Sequence, residues 1–133
     1  MSLQYTTTHR TTCMSDLITA VGSTGYLLIY NGTPPANVAT GDGNTILVSL
    51  PLSNPIGVSS GGVLTFSTIT SAAAGVTGTA THFRICTSSA GTTCIIQGTV
   101  GTSGADLNFA AGVGFTVAET ISVSSFTTTA TGA

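Results

Sequence analysis

"GTATHFRICTSSAGTTCIIQGTV", residues 78–100, decides the reading of this chain. Phe83 and Ile85 alternate with His82, Arg84 and Cys86, the period-two pattern of a strand with one face on a core. "SSAG" interrupts the pattern and "CIIQGTV" resumes it, so the stretch predicts a β-hairpin. Cys86 and Cys94 are symmetric about Ala90, and a hairpin centred there sets them opposite each other. The expectation is that Phe83 and Ile85 face a core. His82, Arg84 and Cys86 then face outward, or into an interface between chains.

The same period extends in both directions. "YLLIY" (26–30) is a short apolar strand closed by "NGTPP". "TILVSL" (45–50) alternates, with Ile46, Val48 and Leu50 expected on one face and Pro51 closing it. "VLTFSTI" (63–69) sets Leu64, Phe66 and Thr68 against Val63, Thr65, Ser67 and Ile69, and "ETISVSS" pairs Ile121 with Val123. Seven or eight short strands punctuated by turn residues predict an all-β antiparallel sandwich or barrel, not a βαβ fold. Ahead of them, "SDLITAVG" predicts one short N-terminal helix with Ser15 as N-cap and Asp16 in its first turn. The expected organisation is a polar arm over 1–14 and a single β domain over 15–133. Within the arm, Thr6, Thr7 and Thr8 are candidate interface residues, as are His82 and Arg84 in the hairpin.

Composition restricts function. Charged residues make up 5% of the chain, lysine is absent and the formal net charge is −2. The average globular protein carries about 25% charged residues. Thr (27) and Ser (15) take over the wetting role. Two arginines cannot neutralise a row of phosphates, so nucleic acid is excluded as a partner. A membrane-surface helix lacks the cations it needs, and no apolar run approaches the roughly 18 residues of a membrane span. A surface with so few charges has little defence against self-association, which favours a protein that lives assembled over a sticky monomer. "MSLQYTTTHRTTC" has no apolar stretch of the secretory kind, so synthesis and assembly in a cytoplasm are expected.

Candidate chemistry is sparse. His82, Cys86, Cys94 and Cys13 are the residue types of a four-ligand zinc site. Strand residues four apart lie about 13 Å apart, too far for one metal, and no C-x2-4-C clip is present. No metal and no cofactor are expected. Cys86 and Cys94 are expected as two unremarkable thiols on a sheet face; a disulfide is the alternative, allowed by hairpin geometry and opposed by a cytoplasmic origin. A cysteine nucleophile needs a base, and neither His9 nor His82 has a third group placed to orient it. Of the four carboxylates, Asp16 reads as a helix-start residue, Asp42 as a turn residue in "TGDGNT", and Asp106 as a cap for backbone N–H groups. Glu119 suggests no acid–base partner. "GTVGTSG" lacks the lysine of a phosphate-binding loop, and "NGT" at 31–33 is read as a turn. No catalytic residue emerges, and an enzyme is not expected.

Several phrases in order carry a resemblance: "LLIYNGTPPANVATGDGNTILVSLPLSNPIGVSSGGVLTF", "GVTGTATHFRIC", "GTVGTSGADLNF" and "ETISVSSFT". Together they resemble the jelly-roll cement, or decoration, proteins of tailed-bacteriophage capsids, over roughly residues 15 to 127. The matching motifs are mostly turn and strand punctuation, which identify a scaffold rather than an activity. The resemblance implies a jelly-roll-like sandwich of about eight strands and self-association into a homodimer or homotrimer. It also implies attachment to a shell of major capsid protein on the virion surface. Cys86, Cys94 and the Thr-rich start depart from the family pattern. A tail or neck component is the second expectation. A carbohydrate-binding adhesin is the third, weakened by the absence of Trp.

Overall fold

Strands form where β-branched and aromatic residues cluster, and a computed structural model shows how they pair over residues 3–130. A single helix, α1 (Thr7–Val21), precedes every strand. The strands are β1 (Tyr26–Tyr30), β2 (Ile46–Pro51), β3 (Gly57–Ser60), β4 (Val63–Phe66), β5 (Ala72–Ala73), β6 (Gly78–Thr79) and β7 (His82–Cys86). They continue with β8 (Cys94–Gly101), β9 (Leu107–Asn108), β10 (Gly114–Phe115), β11 (Thr120–Ile121) and β12 (Thr127–Thr129). The class is mostly β with one helix, at 35% strand and 12% helix.

The strands form one five-stranded sheet in the order β2-β1-β7-β8-β9 and one three-stranded sheet in the order β12-β4-β3. Two short ribbons, β10-β6 and β11-β5, complete the strand pairing among the described residues. Pairing is antiparallel except between β8 and β9, which run parallel over Val100↔Leu107 and Gly101↔Asn108. That pair departs from the all-antiparallel expectation. One apolar core takes residues from both larger sheets. Leu27, Ile29, Val48, Leu50, Phe83 and Ile85 project from the first sheet toward Ile56, Leu64 and Phe66. Phe126 joins the two sides, with ring centroids 4.9 Å from Phe66 and 5.4 Å from Phe83. Each fully buried Leu or Ile side chain contributes about 1.5–3 kcal/mol, so this shared apolar layer holds the sheets together.

One β-bulge changes an expected face. Ile29 pairs with Val48 but Tyr30 pairs with Ile46, so Leu47 is the extra residue. Ile46 therefore joins Leu28 and Tyr30 on the outer face, while Leu47, Val48 and Leu50 all enter the core. The expectation that Ile46, Val48 and Leu50 share a face is corrected by this single inserted residue.

The helix is longer than the sequence suggests. It starts at Thr7, not after Ser15, and Thr6 is the N-cap, its side chain accepting from the His9 N–H at 3.2 Å. Residues 7–14 of the expected arm are thus helical, Ser15 lies mid-helix, and Asp16 lies outside the first turn. Threonine is a weak helix former, so this segment owes its helicity to docking. Met14 and Val21 are buried, Thr11 Oγ1 accepts from the Gly62 N–H at 2.9 Å, and the Ser15 and Ser59 hydroxyls meet at 2.6 Å. Thr6→Ala removes the cap and is expected to cost about 1 kcal/mol. Urea denaturation followed by far-UV circular dichroism measures it.

Candidate functional site: a buried polar layer beneath loop 31–45

The outer face of the five-stranded sheet holds Tyr26, Leu28 and Tyr30 of β1 beside Cys86, Arg84 and His82 of β7. On the other side of β7, His82 opposes Thr99, Arg84 opposes Gln97 and Cys86 opposes Cys94 of β8. A second bulge makes the last pairing: Ile85 pairs with Ile96, which leaves Ile95 as the extra residue. The hairpin reading of 78–100 therefore places Phe83 and Ile85 in the core, and His82, Arg84 and Cys86 on the opposite face.

That face is not exposed. His82 and Arg84 are buried at 0% and 1% exposure. Both were expected at the surface or at an interface between chains, and the structure corrects this. The cover is the irregular segment 31–45 of the same chain, which folds back over the sheet. Loops of about 15 residues without secondary structure are uncommon unless they are functional or tightly held. This one is tightly held.

Arg84 does most of the holding. Its Nε–H donates to Gln97 Oε1 at 2.9 Å. One terminal nitrogen donates to the carbonyls of Asn37, Val38 and Thr40 at 3.1, 3.2 and 2.6 Å. Gln97 in turn donates to the Pro35 carbonyl at 2.9 Å. A buried guanidinium is tolerable because its fork of donors meets a matching set of oxygens.

His82 provides the second tie. Nε2 lies 2.6 Å from Asp42 Oδ2, with both side chains shielded from solvent, and Nδ1 lies 2.9 Å from Thr81 Oγ1. The imidazole stacks on Tyr30 with centroids 5.2 Å apart and an interplanar angle of 11°. Asp42 also accepts from the backbone N–H and side-chain amide of Asn44 at 2.9 and 2.8 Å. Within the loop, Asn37 Oδ1 accepts from the N–H groups of Ala39 and Thr40, and Asn31 Oδ1 from that of Thr45, each at 3.0 Å. Gly91, at φ +70°, closes the hairpin tip over Tyr30, where a Cβ would come within 2.6 Å of the phenol oxygen.

The electrostatics follow from the burial. Burial pushes the Asp42 carboxyl up, but the bonds from His82 and Asn44 and the attraction of His82 outweigh it. The net effect holds Asp42 below its ordinary value of 3.8. Burial and then the Asp42 charge raise the Tyr30 phenol, with Arg84 partly opposing. A lowered carboxylate contributes stability that is fully present above its ordinary value. That stability is lost as pH falls through the lowered folded value, which places the window below about pH 4. Asp42→Asn is expected to cost about 1–3 kcal/mol at neutral pH. The difference from the natural chain should shrink as pH falls below 4, as denaturation midpoints along a pH series will show.

Cys86 and Cys94 are joined as a disulfide, not left as the two thiols expected on a sheet face. Cys13 is the free thiol, half-buried on α1, with its sulfur 3.8 Å from His9 Nε2. It does not join the other two cysteines, and among the described residues no three His, Cys, Asp or Glu side chains converge as a metal site would require. Asp106 caps backbone as expected, its Oδ2 accepting from the Thr99 N–H at 2.9 Å, and Glu119 does the same for Thr116 at 2.9 Å. Thr6, Thr7 and Thr8 are exposed at the start of α1. Tyr30, Asn37, Gln97 and the Asp42–His82 pairing escaped the sequence reading. Register gave no signal for Gln97, because a turn centred on Ala90 sets Ile96 opposite Arg84 and only the bulge at Ile95 brings Gln97 there.

What this arrangement does chemically is fasten. Nε2 of His82 and three hydrogen bonds from Arg84 are directed at one loop, while His82 Nδ1 meets Thr81 and Arg84 Nε–H holds Gln97, which itself reaches the loop at Pro35. Comparison with family models, with curated proteins and with solved structures finds no match to this chain.

Proposed function

We propose that this chain is a virion structural protein, a capsid cement or decoration protein that binds between capsomers and reinforces a shell of major capsid protein. The observation that carries the reading is the distribution of polar groups. The chain places Arg84 and Asp42, two of its six charged residues, in a sealed layer that holds a surface loop rigid. Its surface is left mainly with hydroxyls. Hydroxyls cost less to desolvate than charges, which suits a protein covered by neighbours. A rigid loop loses little entropy on docking.

The finer architecture belongs to the same proposal: the five-stranded and three-stranded sheets are the two walls of a jelly roll, with the two ribbons as its corners. The protein acts without catalysis or cofactor, at the capsid surface, after assembly in the host cytoplasm. Quantitative mass spectrometry of purified particles tests this. A copy number commensurate with the major capsid protein is expected. A few copies per particle would point to a tail or neck component, and absence from particles would overturn both. Purified chain added to particles that lack it should raise the temperature at which the shell releases its genome.

A further inference from the structure

The hydrogens around His82 are few enough to count. Thr81 has one hydroxyl hydrogen, and its oxygen lies 2.6 Å from the Gly32 carbonyl, 2.9 Å from His82 Nδ1 and 3.4 Å from the Tyr30 carbonyl. A carbonyl oxygen only accepts, and two oxygens that close need a hydrogen between them. The Thr81 hydroxyl therefore donates to Gly32. Its oxygen is left as an acceptor toward Nδ1, so Nδ1 carries a proton. The second ring nitrogen is fixed from the other side. Asp42 Oδ1 accepts twice from Asn44, and together with the His82 bond this keeps the carboxyl ionised at neutral pH. An ionised carboxylate has no hydrogen to give, so the 2.6 Å contact at Oδ2 is the Nε2–H donating. With a hydrogen on each nitrogen, the ring is an imidazolium.

The groups facing that ring suit a cation on balance. From the loop, Asp42 supplies the opposite charge. From β1, Tyr30 stacks with centroids 5.2 Å apart, within the range of cation–π attraction. Thr99, opposite on β8, is uncharged. Arg84, two residues along the same face of β7, is the group that opposes a second positive charge. The imidazolium ties one loop at two places. Nε2–H holds Asp42 near the end of segment 31–45. Nδ1–H holds the Thr81 oxygen, whose hydrogen is thereby committed to Gly32 near the segment's start.

We propose that His82 is a proton-operated latch: as the imidazolium it fastens both ends of loop 31–45, and loss of its Nδ1 proton releases the Gly32 end alone. A bare Nδ1 is an acceptor, so the Thr81 hydroxyl turns to it and its hydrogen leaves the Gly32 carbonyl. Two oxygens without a hydrogen between them then repel, which moves Gly32 outward. Gly32 is exposed, so water takes over as its donor and no buried group is stranded. Asp42 keeps its bond from Nε2–H. The latch is closed at and below the ordinary imidazole range, about pH 6.5, and opens as alkaline pH removes the proton. It is a property of the single chain and independent of the capsid reading.

The full chain, labelled with nitrogen-15 in its histidines and carbon-13 at its backbone carbonyls, is titrated by NMR; His9 is the only other imidazole. At about pH 7.5, one unit above the ordinary value of a free imidazole, both His82 ring nitrogens should carry bonded hydrogens. As His82 titrates at higher pH, the Nδ1 hydrogen should disappear and the Nε2 hydrogen persist. The Gly32 carbonyl signal should move with the same midpoint. Thr81→Val, which removes the acceptor for Nδ1–H, should lower that midpoint, and Thr81→Ser should restore it. A His82 Nδ1 without hydrogen at about pH 7.5 overturns the proposal. So does a Gly32 carbonyl signal that ignores the titration of His82, or loss of the Nε2 hydrogen before that of Nδ1.

Discussion

Arg84→Met is expected to destabilise the protein by about 3–5 kcal/mol, a large part of the roughly 5–15 kcal/mol that holds a domain together. Buried ionic groups can sometimes be exchanged for apolar ones at no cost, provided every partner is exchanged too. That route is closed here. Three of the four acceptors around Arg84 are the main-chain carbonyls of Asn37, Val38 and Thr40, which no substitution removes. Methionine fills the volume of the stem but leaves those oxygens and Gln97 Oε1 without a donor under a loop that excludes water. Arg84→Lys should recover only part of the loss, because one ammonium cannot reproduce a planar fork serving Gln97 and the loop together. Guanidinium denaturation gives the magnitude, and amide hydrogen exchange gives the place. Exchange in Arg84→Met should accelerate across 31–45, where Ala39, Thr40 and Asn44 donate to side chains, and change little in β3 and β4. Uniform acceleration throughout the chain would show that Arg84 supports the sheet rather than the loop.

The hairpin was legible because its cause is local. Period-two alternation assigns Phe83 and Ile85 to one face and His82, Arg84 and Cys86 to the other, and turn symmetry sets Cys86 against Cys94. What covers the second face was not legible. Loop 31–45 has no periodicity, and its acceptors are backbone carbonyls that any sequence supplies, so nothing in "TPPANVATGDGN" announces a partner for Arg84. An alternating strand facing water and one facing a loop read identically until the loop is placed. The bulge at Leu47 was hidden for a related reason: one inserted residue moves Ile46 to the other face without changing composition. Asp42 was half read. Its turn role with Asn44 is local and visible, whereas its bond to His82 spans 40 residues. The helix start failed for want of an apolar stripe in "TTHRTTC", a segment whose helix packs on β3, β4 and β8.

Removing the Cys86–Cys94 bridge is expected to lower stability by about 2–3 kcal/mol, which for a chain of this size corresponds to roughly 10 °C in Tm. The cross-link closes a short loop, with a sequence separation of 8, so it removes less unfolded-state freedom than a long-range bridge would. The substitution must be chosen to isolate that effect. Cys86 is fully buried against Leu28 and Tyr30, and serine there would add the cost of a buried hydroxyl without a partner. The Cys86→Ala/Cys94→Ala variant and the natural chain under a thiol reductant should therefore melt at similar temperatures, both below the oxidised chain. Cys13→Ser should leave the melting temperature nearly unchanged. The consequence extends past the hairpin tip, because the bridge is the first of three consecutive cross-strand pairs on one face. Cys86–Cys94 fixes the register in which Arg84 meets Gln97 and His82 meets Thr99. A chain free to slip by one residue around Ile95 would turn Gln97 away from Arg84 and release the Pro35 carbonyl with it. Reduction should therefore raise hydrogen exchange in loop 31–45 as well as in the 87–93 turn. Exchange that rises in the turn alone would mean that the register holds without the bridge.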